Sequence, residues 1–234
     1  MQTLWTNFIY DPIYNALIFI AQNLTWQDVG VAVIVLTILI RLILMPLSKK
    51  SIAGQYKMKL LEPKLAAIKA KGLSKEEEAK ETFALYKTEK INPFSGCLYL
   101  LIQLPILFAL YFTFMRGVIQ PEHLYSFLST EGLHNTLFGL IDITKPFLPL
   151  AILAGISQGV QAYFAPKPSI PTDGKGFQAQ FAQSLSLQTK YILPIIIILI
   201  ASRLAAAVAL YWTITNIFSI VQEYYLRKRF AVSS

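Results

Sequence analysis

Arg41 is the residue whose position in this sequence most needs a chemical explanation. It lies inside residues 29–47, a run of nineteen mostly apolar residues. A hydrocarbon core about 30 Å thick takes roughly 20 apolar residues to cross as a helix, so this run predicts a membrane span. A cation deep in lipid costs about 2.5–3.5 kcal/mol on insertion scales, so we expect its side chain to face water, a partner or a substrate.

Two interpretations of Arg41 follow from its surroundings. In the first, the side chain bends towards the interface at the end of the run flanked by Lys49 and Lys50. In the second, it lines a wet cavity, since Thr37 and Ser48 lie at the i−4 and i+7 spacings and share its helix face. More than one turn of apolar helix separates Arg41 from the lysines, which favours the cavity.

Composition indicates an integral membrane protein of one domain. Hydrophobic residues make up 55% of the 234 residues and charged residues 15%, with a mean hydropathy of +0.51. The net charge of +8 does not indicate a nucleic-acid partner, because eleven of the twenty-one basic residues lie between Lys49 and Lys90. Such a cluster is typical of the cytoplasmic side of a membrane. The single cysteine, Cys97, excludes an internal disulfide.

The elements that would position Arg41 follow from the apolar runs. Thr25 and Asp28 have capping-box spacing and predict the start of the first span. The run 191–226 would extend about 54 Å as one helix, so we expect it to break near Ser202 and Arg203. Residues 133–143 of the intervening loop predict a short re-entrant or interfacial piece. The predicted spans are residues 29–47, 94–115, 147–164, 187–201 and 205–226.

Two segments outside the spans have their own patterns. Residues 1–24 are aromatic, and their apolar stretch is too short to span, which predicts an interfacial helix; a mobile tail is the alternative. Residues 48–92 mix lysines with apolar residues and predict a helical hairpin, with Pro63 interrupting its first arm. Ser74 and Glu77 form a second capping box, where the second arm would begin. The alternative for this segment is a solvated, partly disordered loop.

Other polar residues within the spans extend the candidate site. Gln103 lies at mid-depth, where hydrogen bonding to another helix and facing the cavity of Arg41 are equally open interpretations. Gln158 and Gln161 are three residues apart and share a helix face, which allows a wet face there. The last span carries a further group of polar residues beside the bulky Trp212, namely Thr213, Thr215, Asn216 and Gln222.

The distribution of basic residues predicts the orientation. The inferred inside segments, residues 48–92, the loop from 165 onwards and the tail 227–234, carry seventeen Lys and Arg residues. The outside segments carry three, of which two lie in the external loop 116–146. Five spans with this asymmetry place the N-terminus outside and the C-terminus in the cytoplasm.

The sequence contains no set of residues that would support catalysis. It has no serine–histidine–acid arrangement, no cysteine–histidine spacing and no glycine-rich phosphate loop, so we expect neither an enzyme nor a cofactor. His123 and His134 have no metal-ligand set around them and are interpreted as surface histidines. One intramembrane cation without a matching acid suits a transient anionic or hydrated guest.

Three short motifs carry a resemblance to a known family. They are Leu-Thr-Ile-Leu-Ile-Arg at 36–41 with Pro-Leu-Ser at 46–48, Leu-Ile-Gln-Leu-Pro-Ile at 101–106, and Leu-Tyr-Trp-Thr-Ile-Thr-Asn at 210–216. In these motifs, and in the order of five spans and a charged hairpin, the chain resembles the short bacterial form of the YidC-type membrane protein insertases. It departs from the family's common Phe-Pro-Ala-Gly-like turn at residues 202–206.

The resemblance implies an all-α membrane protein with five transmembrane helices around a hydrophilic groove, an N-terminal interfacial helix and a cytoplasmic helical hairpin. Arg41 would match the groove arginine, and Gln103, Gln158 or Gln161, and Trp212 would match positions near it. The implied function is a membrane protein insertase or chaperone in the bacterial inner membrane. Its partners would be nascent membrane proteins and lipid, with the Sec translocon and the ribosome beside them. The alternatives are a small channel or transporter and a purely structural scaffold.

Overall fold

The computed structural model describes residues 2–92, 95–165 and 187–231, and most of these are helical. The residues outside the described ranges include Pro93 and Phe94, residues 166–186 of the cytoplasmic loop predicted at 165–186, and the last three residues of the predicted tail. The α-helices are α1 (Gln2–Trp5), α2 (Asp11–Leu24), α3 (Val29–Ile43), α4 (Met45–Leu60), α5 (Glu62–Ala70), α6 (Lys75–Thr88), α7 (Ser95–Arg116), α8 (Leu148–Phe164), α9 (Leu193–Ala201) and α10 (Ala206–Ala231). Two π-helical turns, Thr6–Tyr10 and Gln188–Ile192, precede α2 and α9.

The first predicted span is broken in the structure. α3 ends at Ile43, and the chain bends by 61° at Leu44 before α4 begins at Met45. Pro46 lies in the first turn of α4, where its missing N–H and its ring prevent the helix of the preceding residues from continuing straight. The prediction of one continuous helix over residues 29–47 is therefore wrong, since its last three residues belong to α4.

The start of α3 also differs from the predicted capping box. Asp28 is the N-cap, and its Oδ1 accepts a hydrogen bond from the backbone N–H of Val31 at 2.9 Å. The Thr25 hydroxyl instead donates to the backbone oxygen of Asp28 at 2.9 Å. Thr25 thus closes the turn before the helix, and Asp28 satisfies a free N–H group at its first turn.

The core is built around α10. This helix packs along α8 and α3, while α9 packs on α8 and α2 packs on α3 and α7. α4 packs against α7 and α10. The helix that the sequence predicts as interfacial contributes fully buried side chains to this core, namely Tyr14, Leu17, Ile18 and Ala21.

Residues 48–92 form packed helices, with α5 against α6. The capping box of Ser74 and Glu77 at the start of α6 is confirmed. The first arm is interrupted at Leu61, just before Pro63, which lies in the first turn of α5. A small cluster of Leu61, Leu65 and Ile91 joins the two arms, and ion pairs link Lys64 to Glu89 and Lys71 to Glu81.

The loop between α7 and α8 carries a two-stranded antiparallel sheet of β1 (Thr136–Leu137) and β2 (Ile141–Asp142), where the sequence predicted a re-entrant or interfacial piece. The loop lies over the start of α3: the N–H of Val29 donates to the oxygen of His134 at 3.0 Å. Gly30 permits this close approach, since a Cβ there would lie 2.6 Å from the oxygen of Thr136.

The predicted break near Ser202 and Arg203 is present, because α9 ends at Ala201 and α10 begins at Ala206. By length and composition, no single helix among the described residues qualifies as a membrane span. The bent pair of α3 and α4 meets these criteria when its two helices are taken together.

Candidate functional site

Arg41 and Thr37 lie on the buried face of α3, with exposed fractions of 5% and 0%. The Thr37 hydroxyl donates to the backbone oxygen of Val33 at 2.6 Å, within its own helix. α3 packs on α10, which brings Arg41 within electrostatic range of Tyr211. The guanidinium is therefore enclosed by neighbouring helices in this conformation. In such low-dielectric surroundings its charge acts more strongly than at a solvated surface.

α10 presents a first row of polar residues to α3 and α4: Tyr211, Thr215 and Gln222. The Ser48 hydroxyl donates to Oε1 of Gln222 at 2.8 Å, which ties the first turns of α4 to α10. The hydroxyls of Tyr211 and Thr215 are buried and lie close to each other on one face of α10. Polar atoms thus continue along this interface from the level of Arg41 to that of Ser48.

A second row on α10 faces α8 and contains Asn216 and Glu223. Nδ2 of Asn216 donates to Oγ of Ser157 at 3.1 Å and approaches the backbone oxygen of Ala154 at 3.4 Å. Nε2 of Gln161 donates to Oε1 of Glu223 at 3.4 Å. Nε2 of Gln158 donates to Oε1 of Gln161 at 3.3 Å, so the two predicted glutamines belong to one network.

Glu223 is the polar residue that the sequence analysis missed. Its side chain is 6% exposed, although the sequence analysis counted no acid in the last span. The available signal was spacing: Glu223 follows Asn216 by seven residues, so the two share a helix face. The candidate site therefore contains one buried cation and one buried carboxylate at different levels of α10.

The remaining predicted residues lie apart from these two rows. Gln103 is half-buried on α7, and its Oε1 is buried with no hydrogen-bond partner among the residues that the structure describes. Trp212 is half-buried and packs on the hydrophobic core. The Thr213 hydroxyl donates to the backbone oxygen of Ala209 at 2.8 Å, within α10. The structure thus associates Arg41 with Tyr211 of α10, and Gln158 and Gln161 with Glu223 in the second row.

The two histidines differ in their surroundings. His123 is not a plain surface histidine, because its ring is 16% exposed and its Nδ1 lies 2.8 Å from Oδ1 of Asp11. The backbone of His134 pairs with Val29 and Gln27 at the start of α3. Within residues 2–92, 95–165 and 187–231, no group of three or more His, Cys, Asp or Glu side chains could hold a metal ion.

The outer faces of the same helices are apolar. Large hydrophobic side chains are exposed on α3, α7, α8 and α9, including Ile43, Leu101, Phe108, Ile156 and Leu199. Polar groups inside and a broad apolar surface outside are typical of a helical protein whose surface faces lipid. The described residues therefore form a helical protein with polar groups inside and an apolar surface, the arrangement expected of the class of helical membrane proteins.

Comparisons with known proteins identify the family within that class. The family model described as "60Kd inner membrane protein" matches residues 19–233. The chain belongs to this family, which agrees with the resemblance found in the three sequence motifs. Among curated relatives, the Membrane protein insertase MisCA of Bacillus subtilis is 31% identical over 229 residues, covering 95% of this chain and 79% of the relative.

Longer relatives carry the name Membrane protein insertase YidC. The protein of Magnetococcus marinus is 31% identical over 96% of this chain, and that of Aeromonas hydrophila is 33% identical over 90%. The chain spans only 36% of the length of each. A crystal structure described as an active YidC insertase with its first transmembrane domain resolved matches with a TM-score of 0.62 and 23% identity, covering 94% of this chain and 47% of that chain. This match establishes the fold.

Proposed function

We propose that this chain is a membrane protein insertase that guides hydrophobic segments of nascent proteins from the cytosol into the bilayer. The single observation that carries the proposal is Arg41, 5% exposed, at a polar interface inside helices whose outer faces are apolar. The names of its relatives, which are insertases, support it. None of these names describes an enzyme, and the proposal requires no chemical step.

The physical problem for such a guest is the dry part of its path. A polar or acidic segment of the guest must cross hydrocarbon about 30 Å thick. Polar groups inside the membrane shorten the distance over which that segment has no hydrogen-bond or charge partner. The charge of Arg41 holds an acidic guest briefly, because electrostatic attraction is strong where the local dielectric is low. The apolar segment then partitions sideways into lipid, driven by apolar burial at about 25 cal/mol per Å².

The proposal includes five spans, with the N-terminus outside and the C-terminus in the cytoplasm. The support is the excess of Lys and Arg in residues 48–92 and in the segments after α8 and α10. In this orientation the bend at Leu44 lies near the cytoplasmic side, and α5 and α6 project into the cytosol. A guest leaving the ribosome or the Sec translocon meets this hairpin first, and then Arg41 and the polar residues of α10. In this proposal the half-buried Gln103, Gln158 and Gln161 contact the guest, while Trp212 and Thr213 support the fold around it.

The test is reconstitution in liposomes. Purified chain is incorporated into vesicles, and insertion of a labelled single-span guest with an acidic N-terminal tail is scored by protease protection. The insertase proposal predicts protection of the tail that depends on the chain. Flux of small ions through the same vesicles measures the alternative of a channel or transporter. Ion flux without protection of the guest would overturn the proposal. Parallel vesicles that also contain the Sec translocon measure the contribution of that partner.

A further inference from the structure

Glu223 is a buried carboxylate whose surroundings leave it poorly compensated. It lies on α10 beside Gln161 of α8, and Tyr56 of α4 lies within its electrostatic range. Its Oε1 accepts one long hydrogen bond, 3.4 Å, from Gln161. Its Oε2 is buried and has no hydrogen-bond partner among the described residues. Burial of an ionised carboxylate with so few partners is costly unless a cation or further donors are supplied.

The described part of the chain does not supply that cation. Arg227 follows Glu223 by one turn, is exposed, and forms no ion pair with it in the described residues. The unsatisfied Oε2 of Glu223 therefore favours a ligand that is positively charged and can donate hydrogen bonds.

We infer that Glu223 forms a second guest-binding subsite, which receives a Lys or Arg side chain flanking the guest's hydrophobic segment. This inference rests on the proposed function and adds a charge specificity to it. Arg41 lies beside Tyr211, and Glu223 lies twelve residues further along α10, about 18 Å at 1.5 Å per residue. The two subsites carry opposite charges and lie at different depths. Together they select guests that have an acidic tail at one end of the apolar segment and a basic flank at the other.

The order of the two subsites, with the cation deeper and the carboxylate nearer the cytoplasm, agrees with the distribution of charge in membrane proteins. In the proposed orientation, Glu223 is nearer than Tyr211 to the cytoplasmic end of α10, marked by Arg227. Basic residues flanking a membrane span remain on the cytoplasmic side. A guest whose acidic tail has reached Arg41 therefore presents its basic flank at the level of Glu223. The carboxylate holds that flank while the apolar segment moves into lipid.

The experiment compares two guests in the liposome assay. They share an acidic tail and an apolar segment, and differ in a cytoplasmic flank of two lysines or two glutamines. We expect the wild-type chain to insert the lysine-flanked guest about fivefold faster, in line with a charge-assisted contact. Glu223→Gln removes this preference, so that the two guests insert at equal rates, while Glu223→Asp retains part of it. Glu131→Gln, at an exposed acid of the external loop, is the matched control and retains the full preference.

The outcomes separate this inference from the proposed function. If the wild-type chain inserts neither guest, the insertase proposal fails. If it inserts both and Glu223→Gln slows both equally, Glu223 has a purely structural role and the inference is wrong. Glu223→Gln keeps a side-chain oxygen that can accept a hydrogen bond from Gln161, so we expect the fold to remain intact. The melting temperature of the variant in detergent checks this.

Crosslinking gives a second, direct readout. A carbodiimide joins a lysine amine to a carboxylate as an amide, and the carbodiimide takes up the lost water as a urea. We expect it to join the lysine-flanked guest to a peptide containing Glu223, as identified by mass spectrometry. The same peptide should be free of guest in Glu223→Gln. A guest crosslinked only to other acids would overturn the assignment.

Discussion

Asn216 of α10 donates a hydrogen bond from its Nδ2 to Oγ of Ser157 on α8, at 3.1 Å. Both side chains are buried, and the same amide group lies 3.4 Å from the backbone oxygen of Ala154. The Ser157 hydroxyl donates in turn to the oxygen of Ala154 at 2.9 Å. This contact links the two most extensively packed helices of the core through a polar bridge instead of apolar packing alone.

We predict that Asn216→Ala and Ser157→Ala both destabilise the fold, with a coupling energy of about 0.6 kcal/mol and at most about 1.7 kcal/mol. The coupling arises because each variant removes one partner of the same buried contact. A double-mutant cycle from unfolding in mixed detergent measures it. Ser219→Ala is the control, since that hydroxyl donates to Thr215 within α10. Strictly additive effects of the two substitutions would contradict this role of the contact.

We predict a different result for two glycines on α8. A Cβ at Gly155 would lie 2.8 Å from the backbone oxygen of Pro194 and closer still to Ile198, both from α9. Gly155→Ala should therefore separate α8 from α9 and cost roughly 1–3 kcal/mol of unfolding free energy. At Gly159 the added Cβ would meet only the Pro194 ring, with Cγ at 3.5 Å and Cβ at 3.9 Å, which are ordinary contacts. Gly159→Ala should leave the melting temperature in detergent nearly unchanged, and equal losses in both variants would refute the prediction.

The features that the sequence predicts correctly are set by local chemistry. The capping box of Ser74 and Glu77 needs only residues within one turn. The break between α9 and α10 follows from a run too long for one span, which carries its one basic residue at Arg203. The burial of Arg41 could not be predicted directly. The sequence shows only that a cation is unfavourable in contact with lipid, which leaves two positions for it, the membrane interface or the interior of the protein.

The features that the sequence misses depend on contacts between distant segments. Whether Pro46 bends or merely ends a helix depends on the packing of α4 against α7 and α10. Asp28 rather than Thr25 caps α3, and its Oδ2 also accepts a hydrogen bond from the N–H of Gly139 in the loop between α7 and α8. Glu223 was overlooked because its acidic character suggests an exposed residue near the end of the span, while its burial depends on Gln161 in another helix.

The loop between α7 and α8 offers a prediction about pH. Hydrogen bonds from Lys145 and then from Thr144 lower the pKa of Asp142 from 3.8 to about 2. Because the folded pKa is the lower one, this carboxylate stabilises the fold above about pH 3.8, and the contribution is lost as the pH falls through about 2. The effect on stability is small, since the side chains of Asp142 and Lys145 are 39% and 77% exposed.

An NMR titration of the Asp142 carboxyl carbon measures this pKa directly. Lys145→Gln should raise the pKa, because it removes the main cause of the shift, and Thr144→Val should raise it less. The difference in melting temperature between the wild-type chain and Asp142→Asn should shrink as the pH is lowered from 5 towards about 2. A difference that grows in acid would contradict the assignment.

The decisive prediction concerns the charge at Arg41. Arg41→Ala should slow insertion of a guest with an acidic tail by roughly tenfold, since it removes a charge-assisted contact in a low-dielectric site. Arg41→Lys should have a milder effect, because it retains the positive charge but loses the planar guanidinium. Insertion of a labelled guest into liposomes, scored by protease protection at early times, measures both variants.

The matched control for this prediction is Arg203→Ala, which removes one cation from the exposed turn between α9 and α10. It alters the net charge by the same amount. A loss of insertion rate in Arg41→Ala alone therefore shows that the effect depends on the buried position of the charge and not on net charge. A second guest with a neutral tail separates attraction from packing, because only the acidic guest should respond to the charge. Equal slowing of both guests would assign Arg41 a structural role between α3 and α10. Wild-type rates for both Arg41 variants with the acidic guest would refute the role of its charge in insertion.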